Sequence, residues 1–176
     1  MTDRPAAPAQ PAAPGQPAAP GQPAAPGQPA TIAARLAALR AGQDAALIAR
    51  LASGWAVLGD PQVLAGYCLL IADPEVPHLN ALAPAAQAAF LADMVRLGEA
   101  VSAVSQALRV NYAIFGNVDP LLHAHVFPRR LSEPERQRAL QPFALDWTQA
   151  PRFDAGRDAA LVAALRAALK ATAGNS

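Results

Sequence analysis

This 176-residue chain has three histidines, and two of them lie two residues apart in Leu121-Leu122-His123-Ala124-His125-Val126-Phe127-Pro128-Arg129. Strand side chains alternate between faces, so Leu121, His123, His125 and Phe127 would share one face. Leu122, Ala124 and Val126 would take the other, an apolar set suited to a helix-packed core. The two imidazoles would then stand about 7 Å apart along the strand. Three readings are open. The pair could be incidental on a solvated face. It could supply two metal ligands, with His78 or Asp119 as a third. It could also place a nucleophile beside a hydrogen-bond donor at a phosphoryl centre. Neutral imidazole is a good nucleophile near pH 7, because its ordinary pKa is about 6.5. A neutral nitrogen also meets no charge repulsion from the anionic oxygens around phosphorus.

The elements that must position this pair are readable in outline. Residues 5 to 28 are four copies of a six-residue unit, Pro-Ala-Ala-Pro-Ala-Gln once and Pro-Ala-Ala-Pro-Gly-Gln three times. Proline at that density blocks helix and sheet hydrogen bonding, so residues 1–30 are expected to form a disordered, extended tail. Residues 31–176 would form the folded domain. A helix is expected over 31–52, with Gly42 as a break point. Strands are expected over 55–60 and 66–71. The clearest helix spans 85–109, where Phe90, Met94, Leu97, Val101, Val104 and Leu108 recur at alternating steps of four and three. That spacing makes one apolar stripe, which should pack across a sheet.

Two strand-like runs follow, 110–116 and 121–127. Asn117-Val118-Asp119-Pro120 between them is a turn-forming sequence, which predicts an antiparallel hairpin. Ser132 would cap a short helix that Pro142 ends, and 158–171 would form a last amphipathic helix. The order β, β, long α, β, β predicts an α+β domain, an antiparallel sheet with helices on one face.

Composition narrows the function. The chain is 53% hydrophobic but only 5% aromatic, so its core must be aliphatic with few large anchors. A net charge of +1 gives no general attraction for nucleic acid or anionic lipid. No apolar run is long enough to span a bilayer, and no signal-peptide core is visible, so a cytoplasmic protein is expected. The single cysteine, Cys68, rules out an internal disulfide and sits in an apolar run as a small core residue. Trp55 and Trp147 read as core or rim anchors.

The segment around the histidine pair resembles the histidine triad (HIT) family, marked by His-φ-His-φ-His-φ-φ, often followed by Pro-Arg, with φ apolar. Aligned on Pro128-Arg129, His125 takes the third histidine position and His123 the middle one. Leu121 stands at the first, a departure from the pattern. Gly116-Asn117 is similar to the family's phosphate-binding turn, and Asn111-Tyr112, the strand after Gly66 and Pro77-His78-Leu79 resemble further family segments. The resemblance covers roughly residues 50–150 and is sharpest over 111–130. It extends to bacterial HIT proteins of the diadenosine tetraphosphate hydrolase type.

The resemblance implies a HIT-like antiparallel sheet with a long helix across it. It implies hydrolysis or transfer at the α-phosphate of a nucleotide, a dinucleoside polyphosphate or a nucleoside phosphoramidate. His123 would be the nucleophile, forming a nucleotidyl-histidine, and His125 would donate to the phosphate or the leaving group. Asn117, Gly116, Asn111 and Arg129 would be phosphate-binding, although Arg129 could equally pair with a carboxylate after the strand. No metal is required by this nucleophile; Mg²⁺ could accompany the phosphates. The implied partners are the nucleotide and a second copy in a homodimer. With Leu121 in place of a histidine, a nucleotide-binding module with little turnover is the alternative.

Overall fold

The computed structural model describes residues 31–172; the tail expected over 1–30 lies outside them. Helix α1 runs Ile32–Arg40, and strand β1 runs Leu47–Arg50. The helical stretch expected over 31–52 does break at Gly42, but its second piece is a strand and not a helix. Gly42, at φ +69°, adopts the left-handed conformation that only glycine takes without strain, and it turns the chain out of the helix. Residues 47–50 then pair antiparallel with β2, Gly54–Leu58. Their short Leu-Ile-Ala-Arg run fits either element by pattern alone, and the neighbouring strand decides.

β3, Cys68–Ala72, follows, and then α2, Pro84–Ser105. Pro84 stands in the first turn of α2, where its missing N–H costs nothing. The helix ends at Gln106, which takes φ +50°, so Leu108 leaves the expected stripe and is 54% exposed. Phe90, Leu97 and Val101 are buried, with Met94 and Val104 packed against the same core. β4, Arg109–Ile114, and β5, His123–Arg129, form the expected antiparallel pair.

The five strands make one antiparallel sheet in the order β1-β2-β3-β5-β4. α2 packs on β3 and β5 and against α4, Ala159–Thr172. Between them lies an aliphatic core of Ala56, Leu58, Cys68, Leu70, Ala124, Val126, Leu165 and Leu169 around Phe90. Burying such side chains contributes roughly 1.5–3 kcal/mol each for the larger ones. Asp93 of α2, buried, accepts from the backbone N–H and hydroxyl of Ser53 and fixes the helix to the β1–β2 turn.

The helices do not all lie on one face. Ile32, Leu36 and Leu39 of α1 pack on the opposite side, against Val57, Leu69, Ile71 and Phe127. The face that carries the histidines is thus partly roofed. The short helix after the sheet, α3 at Glu135–Arg138, is not capped by Ser132. Pro134 precedes it, and the residue before a proline avoids helical geometry, so the helix cannot start earlier. Pro142 opens a separate 3-10 turn, Pro142–Ala144. Among the described residues no helix is long and apolar enough to cross a membrane.

Candidate active site

Strand β5 places His123 and His125 on the face expected from alternation. Their partners across β3 are Ile71 and Leu69, which belong to the α1-covered side. The two rings meet edge to face with centroids 4.8 Å apart. His123 is 6% exposed, and His125 is half-buried.

Each ring has one nitrogen already engaged. Nδ1 of His123 lies 2.7 Å from the carbonyl oxygen of Leu121. A carbonyl can only accept, so Nδ1 carries the proton and, in the neutral ring, Nε2 holds the lone pair. Leu121 carries no imidazole, but its backbone orients the next histidine. Its side chain packs on the apolar cluster of α1.

Nδ1 of His125 lies 2.6 Å from the phenol oxygen of Tyr67. Burial holds the Tyr67 phenol protonated well beyond its ordinary range. It therefore donates to Nδ1, which leaves the proton of neutral His125 on Nε2. Burial, with a smaller contribution from the neighbouring His123, lowers the pKa of His125 to about 3. The pair thus presents one Nε2 lone pair on His123 and one Nε2–H donor on His125.

Tyr67 is the residue that sequence reasoning missed. Its ring stacks on Phe127 at 4.4 Å and lies flat over Gly59. The signal was present in the alternation of Tyr67, Leu69 and Ile71, but it needed the β3–β5 pairing, which joins strands far apart in sequence. Phe143 was missed as well. It packs edge-on against His125 at 5.0 Å and against Phe115 at 5.0 Å, and it stacks on Trp147.

The other expected site residues fall in two places. Gly116 and Asn117 lie exposed in the β4–β5 connection. Asp119 ties that connection down: its carboxylate accepts from the N–H of Leu121 at 3.2 Å and from that of Ile32, at the start of α1, at 2.6 Å. His78 is exposed at the start of the Leu79–Ala81 3-10 turn. The carbonyl of Pro77 beside it lies 4.0 Å from where a Cβ on Gly116 would stand, so these two loops meet. Among the described residues no group of three His, Cys, Asp or Glu side chains could hold a metal.

Asn111 and Arg129 come together, but not at the imidazoles. They line a cleft of about 430 Å³ at the other end of β4 and β5. Arg129 lies four residues past His125, about 13 Å along the strand. It is buried, and its guanidinium pairs with Glu133 and donates to the carbonyls of Leu140 and Gln137. The carboxylate partner considered from the sequence is the one it has, and its N–H groups are spent on holding the 133–140 segment. Cys68 is buried, and burial raises its thiol far above the reactive range.

No family model and no curated protein matches the chain. Solved structures do. A histidine triad protein from Bradyrhizobium japonicum superposes with a TM-score of 0.60 at 22% identity, over 74% of this chain and 94% of that one. A zinc-bound histidine triad family protein from Mycobacterium smegmatis gives 0.59 at 20% identity, over 79% and 94%. A hypothetical histidine triad nucleotide-binding protein from Sulfolobus tokodaii gives 0.61 at 13% identity, over 77% and 90%. The superposition spans almost the whole of each of these structures and about three quarters of this chain. This chain therefore has the histidine triad fold, with His123 and His125 on the interior strand β5, between β3 and β4.

Proposed function

We propose that the protein hydrolyses or transfers at the α-phosphate of a nucleotide, with His123 as the nucleophile. The observation that carries this reading is the 2.7 Å contact between Nδ1 of His123 and the carbonyl of Leu121, which directs the Nε2 lone pair away from the backbone. In the first step a bond forms between Nε2 and the α-phosphorus, and the bond from phosphorus to the leaving oxygen breaks. The charge that appears on the ring is stabilised by the Leu121 carbonyl at Nδ1–H. Water then attacks phosphorus, the electron pair returns to Nε2, and the water proton passes to solvent.

His125 donates its Nε2–H to a phosphate oxygen in both steps. Giving up that proton outright would require Nδ1 to take one from Tyr67, whose phenol burial makes very reluctant. His125 is therefore a better hydrogen-bond donor than an acid. A polyphosphate leaves as a stable anion and needs no proton, whereas the amine of a phosphoramidate does. This favours dinucleoside polyphosphates over phosphoramidates. Asn117, exposed in the β4–β5 connection, would offer its amide to the same phosphate. The nucleophile needs no metal; Mg²⁺ would arrive with the substrate.

A nucleotide-binding module with little turnover is the second reading. The near-complete burial of His123 and the apolar Leu121 at the first triad position favour it. Intact-protein mass spectrometry separates the two, with adenine and guanine nucleotides on wild type and His123→Ala. A nucleoside-monophosphate adduct on wild type only is expected. Nucleotide binding with neither adduct nor consumption would replace the enzyme by the module.

A further inference from the structure

The cleft at the far end of β4 and β5 lies on the same sheet face as the imidazoles. Arg109 pairs in register with Arg129, Asn111 with Phe127 and Ala113 with His125. Arg109, Asn111 and Ala113 therefore form one row running from the cleft to the histidine pair, about 13 Å long. Ala113, beside His125, is the smallest side chain in that row, and Phe143 packs against His125 and Phe115 at that end.

The cleft is rich in unpaired positive charge. Arg109 and Arg138, both exposed, line it, and neither has a carboxylate partner among the described residues. Arg130 also lines it, and its guanidinium is held by the carbonyls of Ser105 and Ala65, which orient it without cancelling its charge. Arg129 is neutralised by Glu133. Against these three uncompensated guanidinium groups the lining offers one carboxylate, Glu135. Like charges gathered around a concave surface repel one another unless an anion joins them. Guanidinium groups suit phosphate oxygens in particular, because their N–H donors form a planar fork.

We propose that this cleft is an oligophosphate subsite, which holds the distal phosphates of the substrate while its α-phosphate meets His123. The assignment of those phosphates to a substrate tail rests on the function proposed above; the anion site itself does not.

Titration calorimetry on the full chain tests it with ligands that need no turnover, inorganic tripolyphosphate and adenosine monophosphate. Wild type should bind tripolyphosphate, and Arg109→Glu/Arg138→Glu should weaken that binding by at least about a hundredfold, roughly tenfold for each 1.4 kcal/mol of lost contact. The affinity for adenosine monophosphate should change far less, since one phosphate does not reach from His123 to Arg109. Arg109→Gln/Arg138→Gln should give an intermediate loss, and circular dichroism confirms that each variant is folded. Tripolyphosphate affinity that is absent in wild type, or equal in wild type and both variants, overturns the subsite. Equal loss for both ligands overturns its role as a tail site. Because none of these arms depends on His123 chemistry, a missing nucleotidyl adduct would leave the subsite result standing.

Discussion

The phenol oxygen of Tyr67 lies 2.6 Å from Nδ1 of His125, next to the pairing of β3 with β5. This contact decides which nitrogen of His125 faces a ligand with a proton. It also makes the site depend on a strand more than fifty residues away in sequence.

Tyr67→Phe should keep the stack on Phe127 but leave Nδ1 of His125 without its donor. An unsatisfied buried polar atom costs about 1–3 kcal/mol, so melting should fall modestly. Freed from Tyr67, His125 can place its proton on either nitrogen, and turnover should fall about tenfold, the equivalent of ~1.4 kcal/mol in the barrier. Nitrogen-15 chemical shifts of the imidazoles read the tautomer directly. A single Nε2–H tautomer persisting in Tyr67→Phe would show that the phenol does not set it.

Gly59→Ala should disturb the same contact from behind. A Cβ at Gly59 would lie 2.3 Å from the Tyr67 ring, and that ring cannot retreat because Phe127 stacks on it. Overpacking of this kind costs typically ~1–3 kcal/mol. Turnover should drop at least as far as in Tyr67→Phe. Thermal melting and steady-state rates check it; wild-type values for both would mean that the ring shifts freely.

Stability should fall with acid in a window set by His125. Its pKa is lowered by burial from 6.5 to about 3, so the unfolded chain binds this proton more readily than the folded one. The contribution of neutral His125 is thus complete above about pH 6.5 and is lost progressively as pH falls towards about 3. Asp60 and Asp73, held below the usual carboxylate range mainly against the effect of burial by Arg152 and chiefly by Arg40 respectively, add their losses only below their ordinary value of 3.8. Urea titrations from pH 7 to about pH 4 should therefore show a steeper decline for wild type than for His125→Gln. Parallel curves would remove His125 as the source.

Leu121→His would place a third imidazole two residues before His123 on the proposed phosphate site. One hydrogen bond to a charged group is worth about 1.5–3 kcal/mol, so kcat/KM should rise by roughly ten- to a hundredfold. The new ring also replaces an apolar contact with the α1 cluster, so the melting temperature should drop. Unchanged kcat/KM in a folded variant would show that His123 and His125 already supply all that this position can add.

Sequence alone determined the parts governed by local periodicity. The alternation of Leu122, Ala124 and Val126 against His123 and His125 put both imidazoles on one face, because strand geometry has a period of two wherever the strand lies. The four-and-three spacing from Phe90 to Val104 gave α2 for the same reason. Tertiary structure decided what depends on partners distant in the chain. Leu47–Arg50 became a strand because β2 stands beside it, and α1 chose the histidine face because Val57, Leu69 and Ile71 there needed cover. Arg129 is spent on Glu133 and not aimed at the imidazoles because a buried guanidinium must satisfy its donors with what lies nearest. Tyr67 reached His125, and Asn111 left it for the Arg109 cleft, through strand register. Register is fixed by long-range pairing and core packing, and no local pattern encodes it.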